Sequence, residues 1–162
     1  MLRAIVIGSP GAGKSTFARK LRDKTELPLY YLDMIWHKSD QTTHTKAEFD
    51  ATLQQILQKD NWIIDGNYQR TIERRLKYCD TVFLLDYPVD ICLAGAESRV
   101  GKTREDLPWT ETSFDPEFKQ FIENFAQDEL PQIYASINKY KDKVNVVIFK
   151  SRADANKYLD HI

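Results

Sequence analysis

Gly8-Ser9-Pro10-Gly11-Ala12-Gly13-Lys14-Ser15 fits the spacing G-x-x-x-x-G-K-[ST], with Thr16 directly after it. Glycines at these positions let successive backbone N–H groups turn inward toward an anion. A helix opening at the lysine aims its positive end at the same point. Those residue types predict a loop, Gly8 through Thr16, that cradles the phosphates of a nucleoside triphosphate. Lys14 would reach the β- and γ-phosphates, and the Ser15 hydroxyl would sit on Mg²⁺. Three further residues have the right chemistry in the right kind of place. Leu32-Asp33, Ile64-Asp65 and Leu85-Asp86 each end an apolar run in a carboxylate. In an open α/β sheet, ligands bind beyond the carboxyl ends of the strands. An acid there can hold Mg²⁺ through water, take a proton from an acceptor hydroxyl, or cap a turn. Asp86, followed by Tyr87-Pro88, reads as a turn residue. Asp65 is followed by Gly66-Asn67-Tyr68-Gln69-Arg70, where glycine lets the backbone pass close to a ligand.

Phosphoryl transfer depends on positioning and on neutralising charge spread over the transferring group. Arg99, Lys102 and Arg104 cluster at the start of an aperiodic stretch, Gly101 to Phe114. Arg99 and Arg104 are the candidate transition-state cations, because a planar guanidinium suits bidentate phosphate contact. Arg74 and Arg75 read as a solvated charged face. Trp36 and His37 follow Asp33. The indole would stack on a base or sugar or else fill the core under a loop, and His37 reads as a surface histidine. Asp33, Trp36, Asp65, Gly66 and Arg70 are thus the expected acceptor contacts, with Ser15 and Asp65 for metal.

The elements that must hold these groups are legible as alternating patterns. Five short apolar runs, Arg3–Ile7, Leu29–Leu32, Trp62–Ile64, Thr81–Leu85 and Val144–Phe149, read as buried strands. Helical patterns separate them, which predicts a parallel sheet covered on both faces. After the loop, Phe17, Ala18 and Leu21 share one helix face. Thr45-Lys46-Ala47-Glu48 is a capping box opening a helix with Phe49, Leu53, Ile56 and Leu57 inward. A short basic helix is expected near Thr71–Cys79, and Asp90 is expected to cap another running from Ile91 to about Arg99. Asp115-Pro116-Glu117 starts the next helix, which Pro131 should break or kink. Ser151-x-x-Asp154 should cap the last. The aperiodic stretch, about 99–115, is loop-like and of a length often found in lids.

Composition narrows the classes. The chain has 162 residues, 42% hydrophobic and 29% charged, which is one domain's worth, 1–162, of an ordinary globular sequence. A net charge of −1 argues against a nucleic-acid-holding role, since that affinity rests on phosphate neutralisation. Cys79 and Cys92 lack metal spacing and read as reduced buried thiols. No apolar run approaches membrane length and the first strand begins at once, so a cytoplasmic location is expected. A GTPase would carry N-K-x-D, and Asn138-Lys139-Tyr140-Lys141 fails at its last position.

Taken together these residues resemble the adenylate-kinase and shikimate-kinase branch of P-loop small-molecule kinases. Asp65-Gly66-Asn67-Tyr68-Gln69-Arg70-Thr71 is similar to the D-G-F-P-R-T turn of adenylate kinases, with Asn-Tyr-Gln in place of Phe-Pro. Within that branch the chain most resembles the small topology modulation proteins, through Tyr31-Leu32-Asp33-Met34-Ile35-Trp36, Trp62 to Tyr68, and Gly101-Lys102-Thr103-Arg104-Glu105-Asp106. The resemblance implies a three-layer α/β/α P-loop fold with five parallel strands in the order 2-3-1-4-5 and a short lid. It implies Asp33 facing the phosphoryl acceptor, Asp65 assisting Mg²⁺, and Arg99 with Arg104 coming from the lid. The function so implied is transfer of the γ-phosphoryl of Mg·ATP to a small molecule, possible acceptors including a nucleotide or nucleoside. The alternative is a non-catalytic or slowly hydrolysing nucleotide-binding regulator acting on a protein or DNA partner.

Overall fold

Along the central strands, successive side chains enter two different cores. The computed structural model describes residues 1–162. In β1 (Arg3–Gly8), Ile5 and Ile7 join one apolar cluster while Ala4 and Val6 join the other. β3 (Trp62–Asp65) and β4 (Thr81–Leu85) alternate in the same way: Trp62, Ile64, Val82 and Leu84 on one side, Ile63, Phe83 and Leu85 on the other. Both sheet faces are therefore buried, which is why these strands read as continuous apolar runs.

The five strands are all parallel, in the order β2-β3-β1-β4-β5, with β2 at Leu29–Tyr31 and β5 at Asn145–Phe149. One face is covered by α1 (Lys14–Thr25), α5 (Val89–Ser98) and α8 (Arg152–Asp160), through Phe17, Leu21, Cys92, Ala96, Ala155 and Leu159. The other is covered by α2 (Leu32–Trp36), α3 (Lys46–Leu57), α4 (Ile72–Leu76) and α7 (Leu130–Tyr140). Helix α6 (Pro116–Asp128) spans both layers, sending Ile122 to one core and Phe125 to the other. The three-layer P-loop arrangement and its strand order are those expected.

Caps set the helix starts. Thr45 accepts from the Glu48 N–H while Glu48 accepts from the Thr45 N–H, so the capping box is complete. Asp115 accepts from the Glu117 N–H and Ser151 from the Asp154 N–H. The break ahead of Pro131 falls at Glu129, and the proline occupies the first turn of α7. Other expectations need correction. Leu32 begins α2 rather than ending β2, so Asp33 lies in a helical first turn. Val144 precedes β5 rather than opening it. Asp90 does not cap α5, which starts two residues earlier than expected, at Val89 behind Pro88. The segment 101–114 forms turns without helix or strand. Cys79 and Cys92 are buried and unpaired with each other. No helix is long and apolar enough to cross a membrane.

Candidate functional site

The carboxyl ends of β1 and β3 carry the chemistry. After Gly8 the chain turns through the glycine loop into α1, whose N-cap is Gly13 at φ 95. Space around its Cα is open, so backbone conformation alone requires glycine there. A glycine cap has no side chain to accept from the first N–H groups of α1, which stay available to an anion. Gly11 is needed for a different reason: a Cβ would come within 1.9 Å of the Cys92 carbonyl oxygen, and one on Gly95 within 2.1 Å of the Gly11 oxygen. The loop is thus braced backbone to backbone against α5. Lys14 Nζ donates to the Ser9 carbonyl at 3.2 Å. Burial lowers its pKa, and the nearby Asp65 carboxylate acts in the opposite direction.

Asp65 closes β3 directly beside the loop. Only 5% of it is exposed, and Ser15 Oγ donates to its Oδ2 at 2.5 Å. Its Oδ1 is buried with no partner. Burial pushes its pKa up to about 6, against the pull of Lys14 and the Ser15 hydrogen bond. Two hard oxygen donors, one of them unsatisfied, fit a magnesium ion that retains waters and takes its other ligands from phosphate.

The turn after Asp65 ties the site together. Asn67 exchanges two hydrogen bonds with Gly8, donating to its carbonyl at 2.6 Å and accepting from its N–H at 3.0 Å. The Tyr68 hydroxyl donates to Asp33 at 2.7 Å. Beneath the turn lies Arg75, which is fully buried rather than on a solvated face. It donates to the carbonyls of Gly66, at 2.8 Å, and Asn67, with its Nε on Thr71 Oγ1. Burial alone lowers its pKa to about 10. A helical count from Ile72 and Leu76 places Arg75 between two inward positions, but its carbonyl partners were not readable from spacing.

The segment after α5 brings cations over the cleft. Arg104 pairs with Asp106 at 3.3 Å and Glu111 at 2.9 Å. Arg99 has no ion-pair partner, and burial followed by the Arg104 charge lowers its pKa. The segment is fastened to the body by Glu105, which accepts from Tyr31 and from Arg22 at 2.9 Å.

These groups line one cleft of about 670 Å³, including Lys14, Ser15, Asp33, Asp65, Arg99 and Arg104. Pro10, Gly11 and Gly66 also line it, whereas Gly8 and Ser9 lie buried beneath the loop. Ala12, Gly13 and Thr16 border a second cavity of about 230 Å³, shared with Tyr87, Arg152 and Asn156. Two expected acceptor contacts are elsewhere. Trp36 packs edge-on against Phe49, with centroids 5.9 Å apart, and fills the space under α3. Arg70 makes a two-pronged pair with Asp50 at 2.8 and 3.1 Å, which holds it on the surface of α3. Asp86 accepts from the Tyr134 hydroxyl and from Lys150, outside the cleft, so distant side chains engage it rather than its own turn. His37 is half-buried and does line the cleft, edge-on to Trp109. Trp109, Asp106, Glu111 and Tyr68 are cleft residues that sequence reasoning did not single out. For Trp109, Asp106 and Glu111 the aperiodic segment carried no spacing from which direction could be read, and Tyr68 lies in the turn after β3, where its φ of 38 belongs to no strand or helix period.

A cleft of this construction has relatives. By structure, the chain superposes on shikimate kinase from Bacteroides thetaiotaomicron with a TM-score of 0.58 at 16% identity, covering 99% of this chain and 95% of that one. With a shikimate kinase from Acinetobacter baumannii, solved in complex with shikimate, the TM-score is 0.64 at 14% identity, covering 99% and 90%. The fold is that of the shikimate kinases. By sequence, the chain is 30% identical over 97 residues to an adenylate kinase of Thermotoga neapolitana, and 29% to that of Thermotoga maritima. Those matches cover 58% of this chain and 43% of each relative, so the chain spans under half the length of the curated relatives it matches. No protein-family model matches the chain.

Proposed function

We propose that the protein is a kinase that transfers the γ-phosphoryl group of Mg·ATP to the hydroxyl of a small molecule. The observation that carries this reading is the placement of Asp33 in the same cleft as Lys14, Asp65, Arg99 and Arg104. A protein that only bound nucleotide would need the loop and the metal group but no second carboxylate facing them. The likeness to adenylate and shikimate kinases supports the same class.

In this reading the backbone N–H groups of the loop and Lys14 hold the phosphates, and the 230 Å³ cavity beside Thr16 and Arg152 receives the nucleoside of ATP. Ser15 would ligate magnesium, with Asp65 behind it through Oδ1 or a bound water. When bound, the ion would neutralise phosphate charge during transfer. Asp33 accepts the proton from the attacking hydroxyl, and the Tyr68 hydroxyl fixes its orientation by donating to it. Arg99, without a carboxylate partner, is free to donate to the transferring group. Arg104 is held near it by Asp106 and Glu111.

The test is ADP release from Mg·ATP across nucleosides, nucleoside monophosphates, sugars and shikimate-type alcohols. One acceptor class raising turnover well above the ATP-only rate supports a kinase. A flat panel with tight ATP binding favours a nucleotide-binding regulator instead.

A further inference from the structure

The charge around Asp33 bears on what the acceptor is, an inference that rests on the kinase reading. Lys14 and Arg99 lie close enough to influence one another and are committed to the triphosphate. With Asp65 set against magnesium in that reading, the remaining acids lining the cleft beside Asp33 are Asp106, Glu111 and Asp115, against the single guanidinium of Arg104. That guanidinium is already engaged by two of them, at 3.3 and 2.9 Å, with its side chain 13% exposed. Arg70, the other cation expected near an acceptor, is held by Asp50 outside the cleft. Arg19 approaches from below, 4.0 Å from the same Asp106 carboxylate, and does not line the cleft.

An acceptor bearing phosphate or carboxylate would therefore lose its hydration among four carboxylates, with no unpaired cation of its own. Drawing Arg104 away to meet it would leave Asp106, which is 4% exposed, with only Arg19 at 4.0 Å to offset its buried charge. The other wall is aromatic: Trp109 stands edge-on to His37, with centroids 6.2 Å apart, and Phe118 and Phe121 line the cleft as well. Such a wall packs against the apolar face of a ring.

We infer that the phosphoryl acceptor is a ring-bearing alcohol with no phosphate or carboxylate, neutral or carrying an amine. Glu111 and Asp115 recognise the amine or ring hydroxyls, Trp109 packs on the ring, and Asp33 meets the reacting hydroxyl. In the transfer the acceptor oxygen forms a bond to the γ-phosphorus as the bond to the β-γ bridging oxygen breaks. ADP leaves with that electron pair, and the acceptor proton passes to Asp33.

The experiment uses the full chain saturated with a non-hydrolysable ATP analogue and magnesium, at one fixed pH for every pair. Matched pairs are compared by calorimetric binding: adenosine with AMP, uridine with UMP, glucosamine with glucuronate, and shikimate methyl ester with shikimate. ADP release with ATP is measured on the same set. The neutral or amine-bearing member of a pair should bind at least about tenfold more tightly. The nucleoside and amino-sugar pairs separate the two sources of such an acceptor. Asp115→Asn keeps the cap of α6 while removing one charge, and should narrow the preference about threefold. Tighter binding of the anionic members, or binding of no member at all, overturns the inference. Charge-selective binding without ADP release would retire the kinase reading and leave the selectivity of the cleft standing.

Discussion

Asp65 must be ionised to hold a cation, yet it sits where water cannot solvate it. Burial raises its pKa from 3.8 to about 6 in the folded chain. A raised carboxyl pKa means the folded state holds its proton more tightly than the unfolded one. The stabilisation from that proton is full below about pH 4 and is lost as pH rises through 6. At neutral pH the charge costs at most about 3 kcal/mol, by the size of the shift. Asp65→Asn should therefore raise the free energy of urea unfolding near pH 7.5 by about 1–3 kcal/mol, with the gain vanishing near pH 4. The same variant should lose magnesium-dependent activity. Asp33 differs, since in the proposed transfer it acts in the chemical step. Asp33→Asn should lower kcat by about 10²-fold or more while leaving ATP affinity within about threefold, as read by steady-state and binding measurements. Equal losses in both would assign Asp33 to the nucleotide instead.

At the scale of elements, α4 matters more than its five residues imply. Through Arg75 it holds the carbonyls of Gly66 and Asn67. That turn in turn orients Asn67 toward Gly8 and Tyr68 toward Asp33. Arg75→Met would leave those carbonyls buried without donors. We expect a loss of about 2–4 kcal/mol in unfolding free energy and a lower kcat/KM in the folded fraction. An unchanged stability would mean that the carbonyls find other donors. In the segment after α5, Arg104→Lys keeps the charge but loses the fork that meets Asp106 and Glu111 together. Transfer should slow by about tenfold or more with ATP affinity nearly constant, measured in single-turnover experiments. The glycine loop, the capping box at Thr45 and the central strands β1, β3 and β4 were legible in the sequence because each follows from local spacing. Arg75, Arg70 and Trp36 were not. Their partners, the Gly66 and Asn67 carbonyls, Asp50 and Phe49, are set by tertiary packing, and a polar or amphipathic residue next to an inward position reads the same whether it is clamped, paired or free.

For the molecule as a whole, the layering followed from the alternation of apolar runs and helices, and the strand order from family resemblance. The interior of the cleft did not, because its far wall comes from 101–114, a stretch without period whose side-chain directions only the folded chain fixes. The account makes ligand binding a whole-molecule stability effect. Mg·ATP at about a hundred times its dissociation constant should add about 2.7 kcal/mol, or roughly 5–10 °C in Tm by differential scanning fluorimetry. That shift should be lost in Lys14→Ala. Its magnesium-dependent part should shrink as pH falls below about 6, where Asp65 takes up its proton. The measurement that bears most directly on the central claim follows the γ-phosphorus itself. Mg·ATP with a labelled γ-phosphoryl is incubated with protein and the acceptor panel, and the products are read by phosphorus NMR. A phosphate ester of an organic acceptor should form with the wild type and be nearly absent with Asp33→Asn. Label appearing only as inorganic phosphate, at the same rate with and without every acceptor, would contradict it.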